Sequence, residues 1–161
     1  MTFRITRATL EDWEACRAIR LRSLREEPDA YSSEYETEAS YPRDLWQERL
    51  ATAWTFLVSN DDHDLLGIAT GVWTRDGDTH VVGMYVAPQA RGRRCAHQLL
   101  DAIADLALRR DGKRLVLDVA DSNISAAHSY RAYGFIDTGR RRPMERDPSI
   151  TQIELAYPLR G

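Results

Sequence analysis

The residues with the most concentrated chemical potential are Arg91, Gly92, Arg93, Arg94, Cys95 and Ala96. They sit between an apolar, β-like run ending in Val86-Ala87-Pro88 and the helical pattern "CAHQLLDAIADLALRR". The first N–H groups of a helix have no partner inside it, and with the helix dipole they form an anion site. Three arginines add charge to that site, and Gly92 lets the backbone approach a ligand closely. The chemistry this suits is the binding of a phosphate dianion or larger phosphate group. A solvated loop with arginines by chance is the plainer alternative, and the loop alone does not separate the two. Cys95 at a helix start also invites a nucleophile reading, because a helix N-terminus lowers a thiol pKa. If the loop binds phosphate, Cys95 sits within that anion site and the nucleophile reading is rejected.

Composition sets the limits around that loop. The chain has 161 residues, 43% apolar and 29% charged, with a formal net charge of −3. This length supports one domain with a full core, assigned here to residues 1–161. The slightly acidic balance gives no global field toward nucleic acid, so any anion site has to be local. Two cysteines, Cys16 and Cys95, are too few for a disulfide framework. The charged start "MTFRITRATLEDWEACRAIR" has no secretory pattern, and no apolar run approaches the ~18 residues of a membrane span. The expectation is a cytoplasmic protein that engages neither membrane nor nucleic acid. No metal-ligand pattern is read.

The elements follow from periodicity. Phe3–Thr6 alternates as a short strand, and "TLED" from Thr9 has a capping-box pattern before a helix with Trp13, Cys16, Ile19 and Leu24 on one face. "EEPDAYSSEYETEASY" reads as broken helix and loop, and "PRDLWQERLA" as a short helix with Pro42 near its first turn. Trp54–Ser59, Leu65–Thr74 and Thr79–Ala87 read as an antiparallel meander, with Asp76-Gly77 as a hairpin turn. A helix over Cys95 to about Arg109 follows, with Leu99, Leu100, Ile103 and Leu106 inward, then a strand over Arg114–Ala120 and a helix over Ser125–Tyr133 closed by Gly134. "GFIDTG" and "ITQIELAY" read as the last two strands, joined by an arginine-rich loop, "RRRPMERDPS". The unit of Thr79–Ala87, helix and Arg114–Ala120 requires parallel strands. The class is mixed α/β, with most of the sheet antiparallel.

A second motif gives the loop its meaning. "NISAAHSYRAYGF" places Asn123, Ala126, Tyr130, Gly134 and Phe135 at fixed intervals. With "VAPQARGRRCA" it resembles the GCN5-related N-acetyltransferase (GNAT) superfamily. Members read V-x-P, a basic loop [QR]-x-x-G-x-[GA], a helix, a strand, and N-x-x-A-x-x-x-Y-x-x-x-G-F. The match spans Val86 to Phe135, the strand order fits most of the chain, and "WEACRAIRLRSLREEPDAYSSEYETEA" resembles the start of small bacterial members. The resemblance implies about seven strands, mostly antiparallel, with a central parallel pair that splays apart, flanked by helices.

It also implies an acetyl-CoA-dependent N-acetyltransferase. The loop Arg91–Ala96 would hold the pyrophosphate, backbone groups at Met84 and Val86 the pantetheine arm, and Asn123 the cofactor near the splay. Tyr130 matches the family's general acid toward the departing thiolate. The family has no single base position; its alternatives fall here on His80 and Asp118, and Glu34 and Glu36 remain open. Arg94 stands where the family usually has glycine. That departure costs something only if the residue must adopt a positive φ or sit against the ligand, and its side chain is expected to project outward. The early loop, with Tyr31, Tyr35, Tyr41 and Trp46 beside Asp29, Glu34, Glu36 and Glu38, would line the acceptor side; Tyr31 and Glu34 are its named contacts, and aromatics with carboxylates suit a cationic amine. The first reading is a small-molecule amine acceptor, such as a polyamine, amino acid, amino sugar or antibiotic. A protein N-terminal amine or lysine, and a non-catalytic acyl-CoA-binding module, stay as alternatives. A homodimer is compatible with the family, and no residue pattern specifies one.

Overall fold

The computed structural model describes residues 2–159. The strands are β1 (Arg4–Arg7), β2 (Trp54–Ser59), β3 (Leu65–Trp73), β4 (Asp78–Val86), β5 (Arg114–Ala120), β6 (Ile136–Pro143) and β7 (Thr151–Pro158). The helices are α1 (Trp13–Glu26), α2 (Tyr35–Ala39), α3 (Arg43–Thr52), α4 (Cys95–Arg109) and α5 (Ile124–Tyr133). The strands form one sheet in the order β1-β2-β3-β4-β5-β7-β6. Five of its six neighbouring pairs are antiparallel, and β4–β5 is parallel. A strand-helix-strand run gives this result because the intervening helix carries the chain back to the starting end of the sheet.

Trp54 to Val58 of β2 is buried without interruption, so helices cover both faces of the sheet there. Helix α4 buries Leu99, Leu100, Ile103, Ala104 and Ala107, a stripe at helical spacing, while Leu106 is only half-buried. Each fully buried Leu or Ile is worth roughly 1.5–3 kcal/mol. This docking fixes the axis of α4, and with it the direction in which the N-terminus faces. Helix α1 buries Cys16, Ile19 and Leu24 as expected, together with Leu21 and Ser23, whereas Trp13 stays half-buried beneath the Arg43 guanidinium. Asp12 reaches back to the Thr9 N–H at 2.7 Å, which opens the one-turn 3-10 segment before α1.

One assignment needs correction. The arginine-rich segment was expected to be loop from Arg140, but β6 continues to Pro143 and pairs Arg141–Pro143 with Ile153–Thr151 across a bulge. Among Ile136–Pro143 no residue is buried. The strand is an edge with both faces in solvent, so no apolar alternation marked it, and its charges suit an edge that must not pair further. Met144 next to it is fully buried, not part of an open loop.

Three helices are tied together by one carboxylate. Glu38 of α2 accepts two hydrogen bonds from Arg20 of α1, at 3.1 and 3.0 Å, and one from Arg49 of α3 at 2.9 Å. Its side chain is 1% exposed. Burial alone would raise its pKa, but the two guanidinium groups outweigh that and hold it at about 2. Because the folded value is depressed, this stabilisation is present above the unfolded carboxylate pKa of ~4.3 and is lost as pH falls toward 2. The shift corresponds to about 3 kcal/mol. Glu38→Gln is expected to cost roughly 3–5 kcal/mol at pH 7, because two arginines lose their counter-charge. Urea unfolding at pH 7 and pH 3 checks this: the wild type should lose much of its advantage at pH 3.

Arg94, the residue before α4, has φ 64° and ψ 18°, in the left-handed region. A side chain there costs roughly 1–2 kcal/mol, partly offset on glycine substitution by greater freedom of the unfolded chain. Arg94→Gly should therefore raise the melting temperature by about 1–4 °C, whereas Arg94→Ala should not.

Candidate active site

Strands β4 and β5 pair only at Asp78–Arg114, Thr79–Leu115 and His80–Val116. Beyond those residues they diverge. On its other edge β4 loses register with β3: Ile68 pairs with Tyr85 and Thr70 with Val82, leaving Gly83 and Met84 opposite Ala69. This is a bulge, with Gly83 at φ 64°. The diverging strands open a cavity of 1160 Å³, lined among others by Val81–Val86 of β4, Leu117–Val119 of β5, and residues from α1, α4 and α5.

Gly92, Arg94, Cys95 and Ala96 line one part of the cavity. Gly92 has φ 76°, and a side chain there would meet nothing within 4 Å. No side chain caps α4, and its first backbone bond runs from Gln98 N–H to the Arg94 carbonyl, so the N–H groups before Gln98 are available. Arg94 therefore adopts the positive φ that makes glycine the easier choice, and its side chain is exposed. Arg91 is already engaged: its Nε donates to the Val86 carbonyl at 3.0 Å and its Nη2 to Glu27 at 2.6 Å. The loop arginines thus divide. Arg91 lines the cavity while bracing the loop against β4 and the segment after α1, Arg94 lines it without such a partner, and Arg93 lies outside the lining. Cys95 is buried, and burial pushes its thiol pKa up although Arg93 opposes this. A buried, protonated thiol agrees with its exclusion as nucleophile.

Met84, Val86, Asn123, Tyr130, His80, Asp118 and Tyr31 line the same cavity; Glu34 does not, and is exposed. The Tyr31 hydroxyl donates to the Met84 carbonyl at 2.7 Å, so the carbonyls of both Met84 and Val86 already accept one hydrogen bond. The Asn123 side chain accepts from Ala126 N–H at 3.2 Å and caps α5, which leaves its amide N–H groups to donate. Tyr130 stands one turn before the end of α5, packed edge-on against Phe135 at 5.7 Å. Burial of its hydroxyl, with a smaller contribution from Glu27, raises its pKa above the ordinary tyrosine value. At neutral pH it is a proton donor.

Partial desolvation raises the Asp118 pKa although the residue is exposed, and Arg142, whose guanidinium lies 3.8 Å away, opposes it. His80 sits at the last paired position of β4, where the divergence begins. Arg20, Glu27, Glu38, Arg49, Arg142 and Glu145 also line the cavity. Sequence gave no role to the two cavity arginines of α1 and α3, because their proximity to Glu38 exists only after three helices pack. Five arginines face four carboxylates around the cavity, a local positive excess within an acidic chain. Among the described residues no group of three or more His, Cys, Asp and Glu side chains is placed to hold a metal ion, and no helix is long and apolar enough to cross a membrane.

Known proteins resemble this chain in sequence and fold. The profile of the acetyltransferase (GNAT) family matches residues 14–135. An IAA acetyltransferase of Azospirillum brasilense is 32% identical over 127 residues, covering 78% of this chain and 82% of that protein. A Bacillus subtilis (strain 168) protein provisionally named as a [ribosomal protein bS18]-alanine N-acetyltransferase is 29% identical over 115 residues, covering 67% of this chain and 76% of its own. The structure of yncA from Salmonella typhimurium, solved with its cofactor acetyl-CoA, superposes with a TM-score of 0.76 at 17% identity, over 100% of this chain and 96% of that one. With the family profile running from α1 to Phe135, and a sheet that diverges at its one parallel pair, the chain is an acetyltransferase of the GNAT family.

Proposed function

We propose that the protein transfers an acetyl group from acetyl-CoA to the primary amine of a small molecule by direct attack within a ternary complex. The observation that carries this reading is the convergence, on one cavity, of an uncapped helix start, a strand divergence and a half-buried tyrosine. The volume of 1160 Å³ exceeds the range of a single drug-sized ligand and leaves room for cofactor and acceptor together.

The residues fit acetyl-CoA. The free N–H groups at the start of α4, with Arg94 beside them, suit a pyrophosphate, and Gly92 leaves the approach open. The backbone of Met84 and Val86 flanks the divergence, where a pantetheine arm would lie; the second lone pair of each carbonyl and the amide N–H of Asn123 remain for it. Acetyl-CoA supplies an activated thioester. The amine must lose a proton before attack, because a primary amine near pKa ~10 is mostly protonated at pH 7. Asp118, its pKa raised by partial desolvation, or His80 takes that proton, directly or through water. The new C–N bond forms as the C–S bond breaks, and the Tyr130 hydroxyl gives its proton to the leaving sulfur. A backbone N–H of the bulged segment at Met84 would polarise the carbonyl under attack. Cys95 takes no part.

The name of the Bacillus subtilis relative favours a second reading, acetylation of a protein N-terminal amine. A panel of free amines and short peptides, followed by thiol release, separates the two.

Thermal melting is the first test of the cofactor site. A ligand at 100 times its Kd adds about 2.7 kcal/mol, which is about 5–10 °C for a domain of this size. Acetyl-CoA and desulfo-CoA should both give that shift and ATP much less; no shift with either CoA compound overturns the site. Tyr130→Phe should keep the shift and lower kcat by about 10²–10⁴. Because burial raises the Tyr130 pKa, loss of the acid form should appear only above the ordinary tyrosine range, as an alkaline fall in kcat that Tyr130→Phe lacks.

A further inference from the structure

The acceptor wall contributed by α1, α2 and α3 was expected to be acidic and to draw in a cation. The fold leaves a different balance of charge there. Its carboxylate, Glu38, is consumed by two guanidinium groups, so the cluster of Arg20, Glu38 and Arg49 carries one net positive charge. Asp29, Glu34 and Glu36, the other carboxylates named for that side, lie outside the cavity lining.

Both arginines retain unused donors. Arg20 commits Nε and Nη2 to Glu38, while its Nη1 is buried with no hydrogen-bond partner among the described residues. That Nη1 faces the bulge of β4: a side-chain carbon at Gly83 would stand 3.5 Å from it. A buried guanidinium donor left unmatched is costly, so an acceptor that reached it from the cavity would be favoured. Arg49 donates to Glu38 through Nη1 alone, and its side chain is 41% exposed at the cavity. Its guanidinium lies 5.0 Å from the rings of both Tyr41 and Trp46, and that of Arg20 lies 4.8 Å from Tyr31. The aromatic rings hold the two planar groups in place before any ligand arrives.

Resting on the acetyltransferase reading of this cavity, we infer that the acceptor is an amine that also carries a carboxylate, an amino acid or close analogue, and that Arg20 and Arg49 read that carboxylate. Two preset guanidinium groups match the paired oxygens of a carboxylate. Asp118 and Glu145, elsewhere in the lining, leave a place for the ammonium form before it is deprotonated. Polyamines fit poorly, because the helical wall repels a second cation.

The test uses the full chain and steady-state thiol release with free amino acids, the matching amino acid amides, spermidine and short peptides. Amino acids should exceed their amides by about ten- to a hundredfold in kcat/KM, the worth of one charge-assisted hydrogen-bonded pair. Arg49→Gln should raise KM for the amino acid by about the same factor, with kcat little changed and the amide unaffected. Arg49→Lys should fall between. A merely structural role for Arg49 would lower kcat for every acceptor alike, and that result overturns the assignment. So does turnover of amides, spermidine or peptides as good as that of amino acids. If acetyl-CoA stabilises the protein but no amino acid is acetylated, the acceptor assignment alone falls. If acetyl-CoA does not stabilise it, the cofactor site falls and the acceptor assignment with it.

Discussion

Everything at the cavity depends on where β4 and β5 stop pairing. A strand edge without a neighbour leaves N–H and C=O groups that must find other partners. Here three residue pairs hold the two strands together, and beyond His80 and Val116 they part. The protein partly fills the resulting gap with its own donors, the Tyr31 hydroxyl on the Met84 carbonyl and the Arg91 guanidinium on that of Val86. What stays open is a slot whose walls are backbone, suited to an extended amide-bearing ligand. The bulge at Gly83 and Met84 adds to this by taking two residues of β4 out of register with β3 as well.

The helices set the charge around that slot. Helix α4 is held against the sheet by Leu99, Leu100 and Ile103, so its unpaired N–H groups face the cavity without a capping side chain. Arg94 accepts a left-handed backbone to complete the turn, a local strain of the kind found at ligand-binding loops. On the opposite part of the lining, Glu38 binds α1, α2 and α3 together and leaves a positive excess at their shared face. One ion cluster therefore has two consequences, a structural one in the helical layer and an electrostatic one in the cavity. Both follow from placing two cations on a single buried anion.

The sequence carried the local half of this arrangement. The periodicity of "CAHQLLDAIADLALRR" marked α4, Asp76-Gly77 marked the turn before β4, and the strand-helix-strand run fixed the parallel pair, because each depends on neighbours within a turn or two of chain. The spacing of Asn123, Tyr130 and Gly134 placed the cap, the hydroxyl and the end of one short helix in a single register. Edge strand β6 escaped notice because both its faces are wet, so no burial pattern was written into it.

Tertiary structure alone decided the rest. Arg20 and Glu38 are 18 residues apart in the chain, and Glu38 and Arg49 are 11 apart. Nothing in their spacing distinguishes that carboxylate from Glu34 or Glu36. Only the packing of α1 and α3 on α2 buries one acidic residue and leaves the others in solvent. The same holds for Arg91, which lines the cavity with its loop neighbours but has donors tied to Val86 and Glu27 by a pairing the sequence does not show. Residue type and spacing determined which groups could carry charge, protons and helix ends. Burial and long-range pairing determined which of them remain free to meet a ligand, because a donor or acceptor already used inside the protein cannot also serve a ligand.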